Sequence, residues 1–230
     1  MTQTYVKFTL PENTYIAAND LREAVAKNLD GQLFKNKPAL FNYSDEKTTL
    51  PGRPANRFIG GLGWLGFVSE NDALLPSMVI APAITHLLSE GVQVETYIGE
   101  TEKLMSLTEE PQAYRFTSLI DQRDKVRGGG EGADELVKRH ILSMFESALD
   151  EGVTSMPIDA DDLEITVLES RRSGESMKFR TGGYRAVAKI RATFTMRANL
   201  SGIWQAGHLQ SRGHGLIYSV NRGGFTQCPI

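Results

Sequence analysis

The sequence predicts an α+β protein built from two tandem ferredoxin-like (RRM-like) domains, with a helical insertion in the second. Three observations predict it. The first half reads strand, helix, strand, strand, helix, strand, which is the ferredoxin-like order. The second half roughly repeats that order of elements, with no repeat in the residues themselves. A chain of 230 residues with 40% hydrophobic content is long enough for two small cores and too apolar for disorder. The expected domains are 1–107 and 112–230, parted by a break at Thr108-Glu-Glu-Pro111, with the helical insertion at about 121–150.

Each element has a local cause. Thr4 to Leu10 alternates and is rich in β-formers, and Pro11 closes it. Asn19-Asp20 can cap a helix whose apolar residues Leu21, Val25, Leu29 and Leu33 recur every four positions. Lys35 to Pro38 is a loop, Leu40 to Ser44 a short strand and Asp45 to Pro54 a turn-rich connection. Arg57 to Val68 is apolar, glycine-rich and β. A helix from about Ala81 to Ser89 is stopped by Gly91. Val92 to Ile98 alternates as a strand. In the second half, Ala113 to Ile120 is a strand and Asp121 to Gly132 is polar and glycine-rich. Leu136, Val137, His140, Ile141, Met144, Phe145 and Leu149 place one apolar face on a helix from Ala133 to Leu149. Strands are expected at Leu163–Leu168, Tyr184–Leu200 and Gly215–Val220, with a short helix at Ser201–Ala206.

Composition narrows the function. The single cysteine, Cys228, rules out an internal disulfide and a multi-thiolate metal site, and points to a reducing, cytoplasmic setting. Met1 to Phe8 lacks the layout of a signal peptide, and no apolar run approaches the ~20 residues that cross a bilayer, so no membrane partner is expected. The net charge of −3 hides a split. From Arg171 to Ile230 ten Lys/Arg face one acid, Glu175, a net +9, while the first 170 residues carry a net −12. A split of this size points to a polyanion bound by the C-terminal segment. Within it, Ala186, Ala188, Ile190, Ala192, Phe194, Met196 and Ala198 occupy even positions of one strand, and Arg185, Lys189, Arg191 and Arg197 odd ones. Strand side chains alternate between faces, so one face packs on a core and the other aligns four cations, as a phosphate backbone would require. Arg171, Arg172, Lys178 and Arg180 precede it as further candidate contacts.

Ala206-Gly207-His208-Leu209-Gln210-Ser211-Arg212-Gly213-His214-Gly215 is the strongest local motif. Its glycines allow close backbone approach to a ligand, and Arg212 can offer a bidentate phosphate contact. With Tyr184–Leu200 and Gly202-Ile-Trp-Gln-Ala-Gly207, this segment resembles the C-terminal signature of the CRISPR repeat-RNA endoribonucleases of the RAMP superfamily, with His214 in the aromatic place of the closing Gly-aromatic-Gly. Region 121–150 is similar to the helical finger of the version found in type IV CRISPR systems.

The resemblance implies cleavage of CRISPR precursor RNA at a repeat stem-loop, without metal or cofactor, by attack of a 2′-hydroxyl that leaves a 2′,3′-cyclic phosphate. It further implies retention of the crRNA with other effector subunits. Many family members place a histidine in or just after the first helix; this chain has His86, His140, His208 and His214 only. The polar residues around that helix are Tyr15, Arg22, Lys27, Lys35 and Lys37. Arg22 and Lys37, with Arg212 opposite, are the candidates for steadying the phosphorane. Gly207, His208, Gln210, Ser211, Gly213 and His214 are candidate RNA contacts.

The remaining motifs read more plainly. Gly61 to Gly66 matches a dinucleotide fingerprint as a string but has no helix start after it. Asp159 to Asp162 is a solvated turn rather than a cation site. His140 reads as a core histidine and His86 as helix surface. Trp204 could stack on a base or pack in the core, and Tyr184 leans to core. Gln210 to Gly215 also fits an acetyl-CoA loop, which needs a following helix where a strand is expected. An RNA-binding subunit without catalysis is the second reading.

Overall fold

The computed structural model describes residues 1–28, 56–70, 74–122, 132–154, 157–178 and 183–220, the side chains of 74–78 and 178 excepted. The first sheet contains β1 (Thr2–Thr9), β2 (Asn56–Gly61), β3 (Trp64–Glu70) and β4 (Glu95–Glu102) in the order β2-β3-β1-β4, every neighbour antiparallel. Helices α1 (Ala18–Asn28) and α2 (Leu74–Ser89) cover one face. Leu21 and Val25 of α1 and Val79, Ala83 and Leu87 of α2 pack on Val6, Phe8, Phe58, Leu65 and Phe67. α2 begins earlier than its sequence suggests and holds Pro82 inside it, because burial of its apolar residues outweighs the hydrogen bond that proline cannot make. Gly61 to Gly66 forms the β2–β3 hairpin and leads into no helix, which removes the dinucleotide reading. The expected strand at Leu40–Ser44, and Leu29 and Leu33, lie outside the described residues.

The second sheet contains β5 (Leu104–Asp121), β6 (Thr166–Lys178), β7 (Tyr184–Ser201) and β8 (Ile217–Ser219) in the order β6-β7-β5-β8. Counted within each half, both sheets run 2-3-1-4, so the repeated ferredoxin-like pattern is present. The expected break at Thr108–Pro111 lies inside β5 as a register shift against β7, and the chain changes sheets at Lys103. Helix α3 (Ala133–Asp150) sits at the first crossover of this half. Leu136, Val137, Ile141, Met144, Phe145 and Ala148 pack on Phe116, Phe194, Met196 and Trp204. It is thus the core helix of the second unit rather than an insertion. Asp159 caps a one-turn helix α4 (Ala160–Leu163) in a capping box with Asp162, which accounts for those acids.

The second crossover carries no α-helix among the described residues. Residues 202–216 run extended, with a bridge from Gln205 to Leu216 and a 3-10 turn at Gln210–Arg212, so the helix expected at Ser201–Ala206 is absent. This segment leaves its own sheet and covers the second face of the first one. Ile203, Leu216 and Tyr218 pack with Tyr5, Ile59, Trp64 and Val68. β3 is therefore buried along its whole length, as its unbroken apolar run requires.

A buried ionic cluster joins the halves. The Glu70 carboxylate accepts from Arg57 Nη2 and Gln3 Nε2, each at 2.8 Å, and lies 3.8 Å from Lys103 Nζ. Lys103, fully buried, also reaches Glu151 at 2.7 Å and lies over the Trp204 ring. Gln3 completes the joint through Ile203, donating to its carbonyl at 3.0 Å and accepting from its N–H at 2.8 Å. Glu70→Ala strands the buried Arg57 guanidinium, while Lys103 keeps Glu151, and should cost roughly 3–5 kcal/mol in denaturant unfolding. Glu164→Ala, which breaks the exposed pair with Arg197, should cost under about 1 kcal/mol. Equal losses in the two variants would count against the joint.

Candidate functional site

The 202–216 segment brings the chemistry together. His208 N donates to Ile120 O at 2.8 Å and Gly215 N to Ser118 O at 2.6 Å, so the segment hangs on the end of β5. Gln205 Nε2 straps it internally, donating to Gln210 O at 3.1 Å and His214 O at 2.9 Å. Gln210 Nε2 donates to Gly207 O. Leu209 sits in the left-handed region at φ 59°, a conformation that costs a residue with a side chain about 1–3 kcal/mol and persists only where surrounding contacts impose it.

Gly213 and Gly215 serve the protein's own packing. A Cβ on Gly213 would stand 2.6 Å from Ala18 Cβ and 3.1 Å from Phe58 O, and one on Gly215 would overlap the Ala206 carbonyl. Both have φ near +80°, where glycine is the residue of choice. The close approach at Gly213 seats the turn bearing Arg212 against the first turn of α1. Arg22 follows Ala18 by four residues, on the same side of that helix. It is 8% exposed and held by the surrounding structure. Arg212 and Arg22, 190 positions apart in sequence, thus flank one seam, the Gly213–Ala18 contact, from two domains. Lys37 lies outside the described residues.

His214 stands beside this seam. Its Nδ1 is 2.7 Å from Ser118 Oγ. Burial, and then the nearby Lys189 and Arg212 cations, lower its pKa from 6.5 to about 4, against a smaller opposing pull from Glu175. The imidazole is neutral at physiological pH. Ser118 escaped the sequence reading because it falls in the bulge between Phe116 and Leu119. The only trace of it is a broken alternation, Phe116-Thr-Ser-Leu119.

The cation row on β7 is real but not wholly unengaged. Arg185, Lys189, Arg191 and Arg197 share a side of the strand, with buried Val187 between the first two. Lys189 pairs with Glu175 at 2.9 Å and Arg197 with Glu164 at 2.6 Å. These are exposed or half-buried pairs of the kind a phosphate exchanges at little cost. Arg191 is exposed and stands directly across the ladder from Arg171, also exposed. Like charges directly opposed on one face destabilise a sheet unless an anion lies between them. Arg172 pairs with Ile190 and so belongs to the other face. Lys178 pairs with Tyr184 at the far end of the hairpin, and Arg180 lies outside the described residues.

Other expectations resolve differently. Tyr184 is 69% exposed, not core, whereas Trp204 is buried and unable to stack on a base. His208 turns away from His214 to Asp121 and His140. β8 follows the loop as a strand, so no helix N-terminus receives a pyrophosphate there and the acetyl-CoA reading falls.

Known structures share this fold. The structure is similar to Csf5, a CRISPR-Cas type IV Cas6 crRNA endonuclease, with TM-score 0.79 and 23% identity over 95% of this chain and 99% of that one. It is also similar to a Cas6b crystal structure, with TM-score 0.58 and 14% identity over 96% of this chain and 100% of that one. A CRISPR RNA processing endoribonuclease Cas6b gives TM-score 0.54, again at 14% identity over 96% and 100%. No curated protein matches the chain. At these identities the structures speak for the fold. The family model described as type IV CRISPR-associated endonuclease Csf5 matches residues 1–222, and the chain belongs to that family.

Proposed function

We propose that this endonuclease cuts CRISPR precursor RNA at the repeat stem-loop, by attack of a 2′-hydroxyl on the adjacent phosphate, and retains the crRNA within an effector complex. The observation that carries this reading is the close approach of Gly213, next to Arg212, to Ala18, one helical turn before Arg22, beside a neutral histidine. In-line attack needs three things: the hydroxyl and phosphate held in place, cations on the developing phosphorane, and a proton acceptor. Arg22 and Arg212 supply the cations, joined by Lys37; an arginine stays protonated and is suited to charge stabilisation rather than to base work. His214, neutral and tied through Nδ1 to Ser118, keeps Nε2 for the proton. The chemistry then needs no metal on the phosphate. Arg171, Arg185, Lys189, Arg191 and Arg197 hold the RNA backbone, duplex RNA being read by shape and phosphate. The two halves act as separate domains meeting at Lys103, with RNA across the seam.

Incubation with a repeat-containing transcript should yield a 5′-hydroxyl and a 2′,3′-cyclic phosphate. A 2′-deoxy nucleotide before the cut should stop cleavage and leave binding intact. Arg212→Ala should slow cleavage by about 10²–10³-fold, the usual loss for one donor to a developing oxyanion. Tight binding with no product in the wild type would instead make the chain a crRNA-binding subunit without catalysis.

Two solution properties test the parts. With about five phosphate contacts, log affinity should fall against log salt with a slope near ~−3.5, and a flat response would remove the cation row from the interface. The folded chain binds fewer protons at His214 than the unfolded chain between pH about 4 and 6.5. Stability from this group is therefore complete above pH 6.5 and declines as pH falls to about 4. An NMR titration should show one histidine with a midpoint near pH 4, absent in His214→Asn; a midpoint near 6.5 would contradict the buried setting.

A further inference from the structure

Behind the glycine-rich segment, three elements converge on one point. Asp121 ends β5, His140 lies on the buried face of α3, and His208 comes from the segment itself. Asp121 Oδ1 is 3.3 Å from His208 Nδ1 and 3.6 Å from His140 Nε2. All three ligand atoms lie within 4.8 Å of one another. The Asp121 side chain is 1% exposed and that of His140 9%. We propose that these residues form a binding site for a transition-metal dication, with Zn2+ as the best fit.

Distances favour a shared ion over simple hydrogen bonds. Separations of 3.3 and 3.6 Å fall at or beyond the long end of the hydrogen-bond range. Ligand atoms about 2.0–2.1 Å from a tetrahedral zinc stand about 3.3–3.4 Å apart, close to the two separations from Asp121 Oδ1, and the imidazole nitrogens lie within 4.8 Å of each other. Two imidazole nitrogens and a carboxylate are a donor set for zinc, iron, cobalt or nickel, whereas magnesium and calcium favour oxygen alone. A water completes the fourth position. The second carboxylate oxygen is already oriented, since Asp121 Oδ2 accepts from Arg139 Nη2 at 2.8 Å, as outer partners of metal ligands commonly do. His208 Nδ1 is also approached at 3.3 Å by the Ile120 carbonyl, an acceptor, and by the Gln122 N–H, a donor.

Such an ion would staple the glycine-rich segment to β5 and α3 on the side away from His214, and so fix the segment without touching RNA. The proposal is independent of the cleavage chemistry, and its readout is metal rather than product. Full-length protein with any affinity tag removed is dialysed against chelator, then titrated with Zn2+ in a calorimeter and by thermal unfolding. One ion per chain is expected, with a melting temperature that rises with Zn2+ concentration. Co2+ in its place should give the visible absorption of a tetrahedral site. His208→Ala, which changes the most exposed of the three ligands, should abolish both signals while circular dichroism stays native; His140→Phe serves as a second ligand variant. His86→Ala, on the surface of α2, should keep them. Absence of stoichiometric binding in the wild type, or unchanged binding in His208→Ala, would leave Asp121 as a hydrogen-bonded carboxylate only and overturn the proposal.

Discussion

The arrangement of the whole molecule depends on one buried carboxylate. Glu70 ends β3 inside the protein, where a lone negative charge is untenable, and it is held by Arg57 from β2, Gln3 from β1 and Lys103 from the sheet junction. Such a cluster contributes less net stability than a well-packed apolar one would, but it tolerates few alternatives. Lys103 must be at that spot, so β5 must start there. Gln3 must also face the backbone of Ile203, so β7 must exit there. The path of the glycine-rich segment over the first sheet follows from these two constraints.

That path makes a site out of two scaffolds that are each incomplete. A ferredoxin-like unit ordinarily spends its second crossover on a helix packed against its own sheet. Here the crossover is an extended strap that adds Trp204 and Ala206 to the second core beside α3 and brings Gly213, between Arg212 and His214, against α1 of the other domain. Position is set by tight glycine contacts and backbone hydrogen bonds rather than by flexible side chains, which is the kind of preorganisation that the proposed cleavage needs.

Much of this was legible in the residues. The alternation along β7, the apolar face of α3 and the ferredoxin-like order all survive, because each rests on local periodicity that burial then enforces. The glycine-rich motif and Arg212 also stood out. What the sequence hid is long-range. The Gly213–Ala18 contact, the Gln3–Ile203 joint and the Ser118–His214 pair join segments about 100–200 positions apart, and no local pattern encodes them. His208 and His214 look equivalent as neighbours in one loop, yet they point into different surroundings because Leu209 turns the chain between them. The Thr108–Pro111 segment, read in the sequence as the break between domains, lies within β5, where a bulge absorbs Pro111 without ending the ladder.

The Gln3–Ile203 joint has a consequence for biosynthesis. β1 leaves the ribosome 200 residues before its partner backbone. Until then the amino-terminal unit exposes Tyr5, Ile59, Trp64 and Val68, the apolar face that the carboxyl-terminal strap will cover. The nascent chain must therefore carry a sticky, half-finished sheet while the intervening residues are made, a state open to misassembly and suited to chaperone capture, and the two domains reach their final form together rather than in turn.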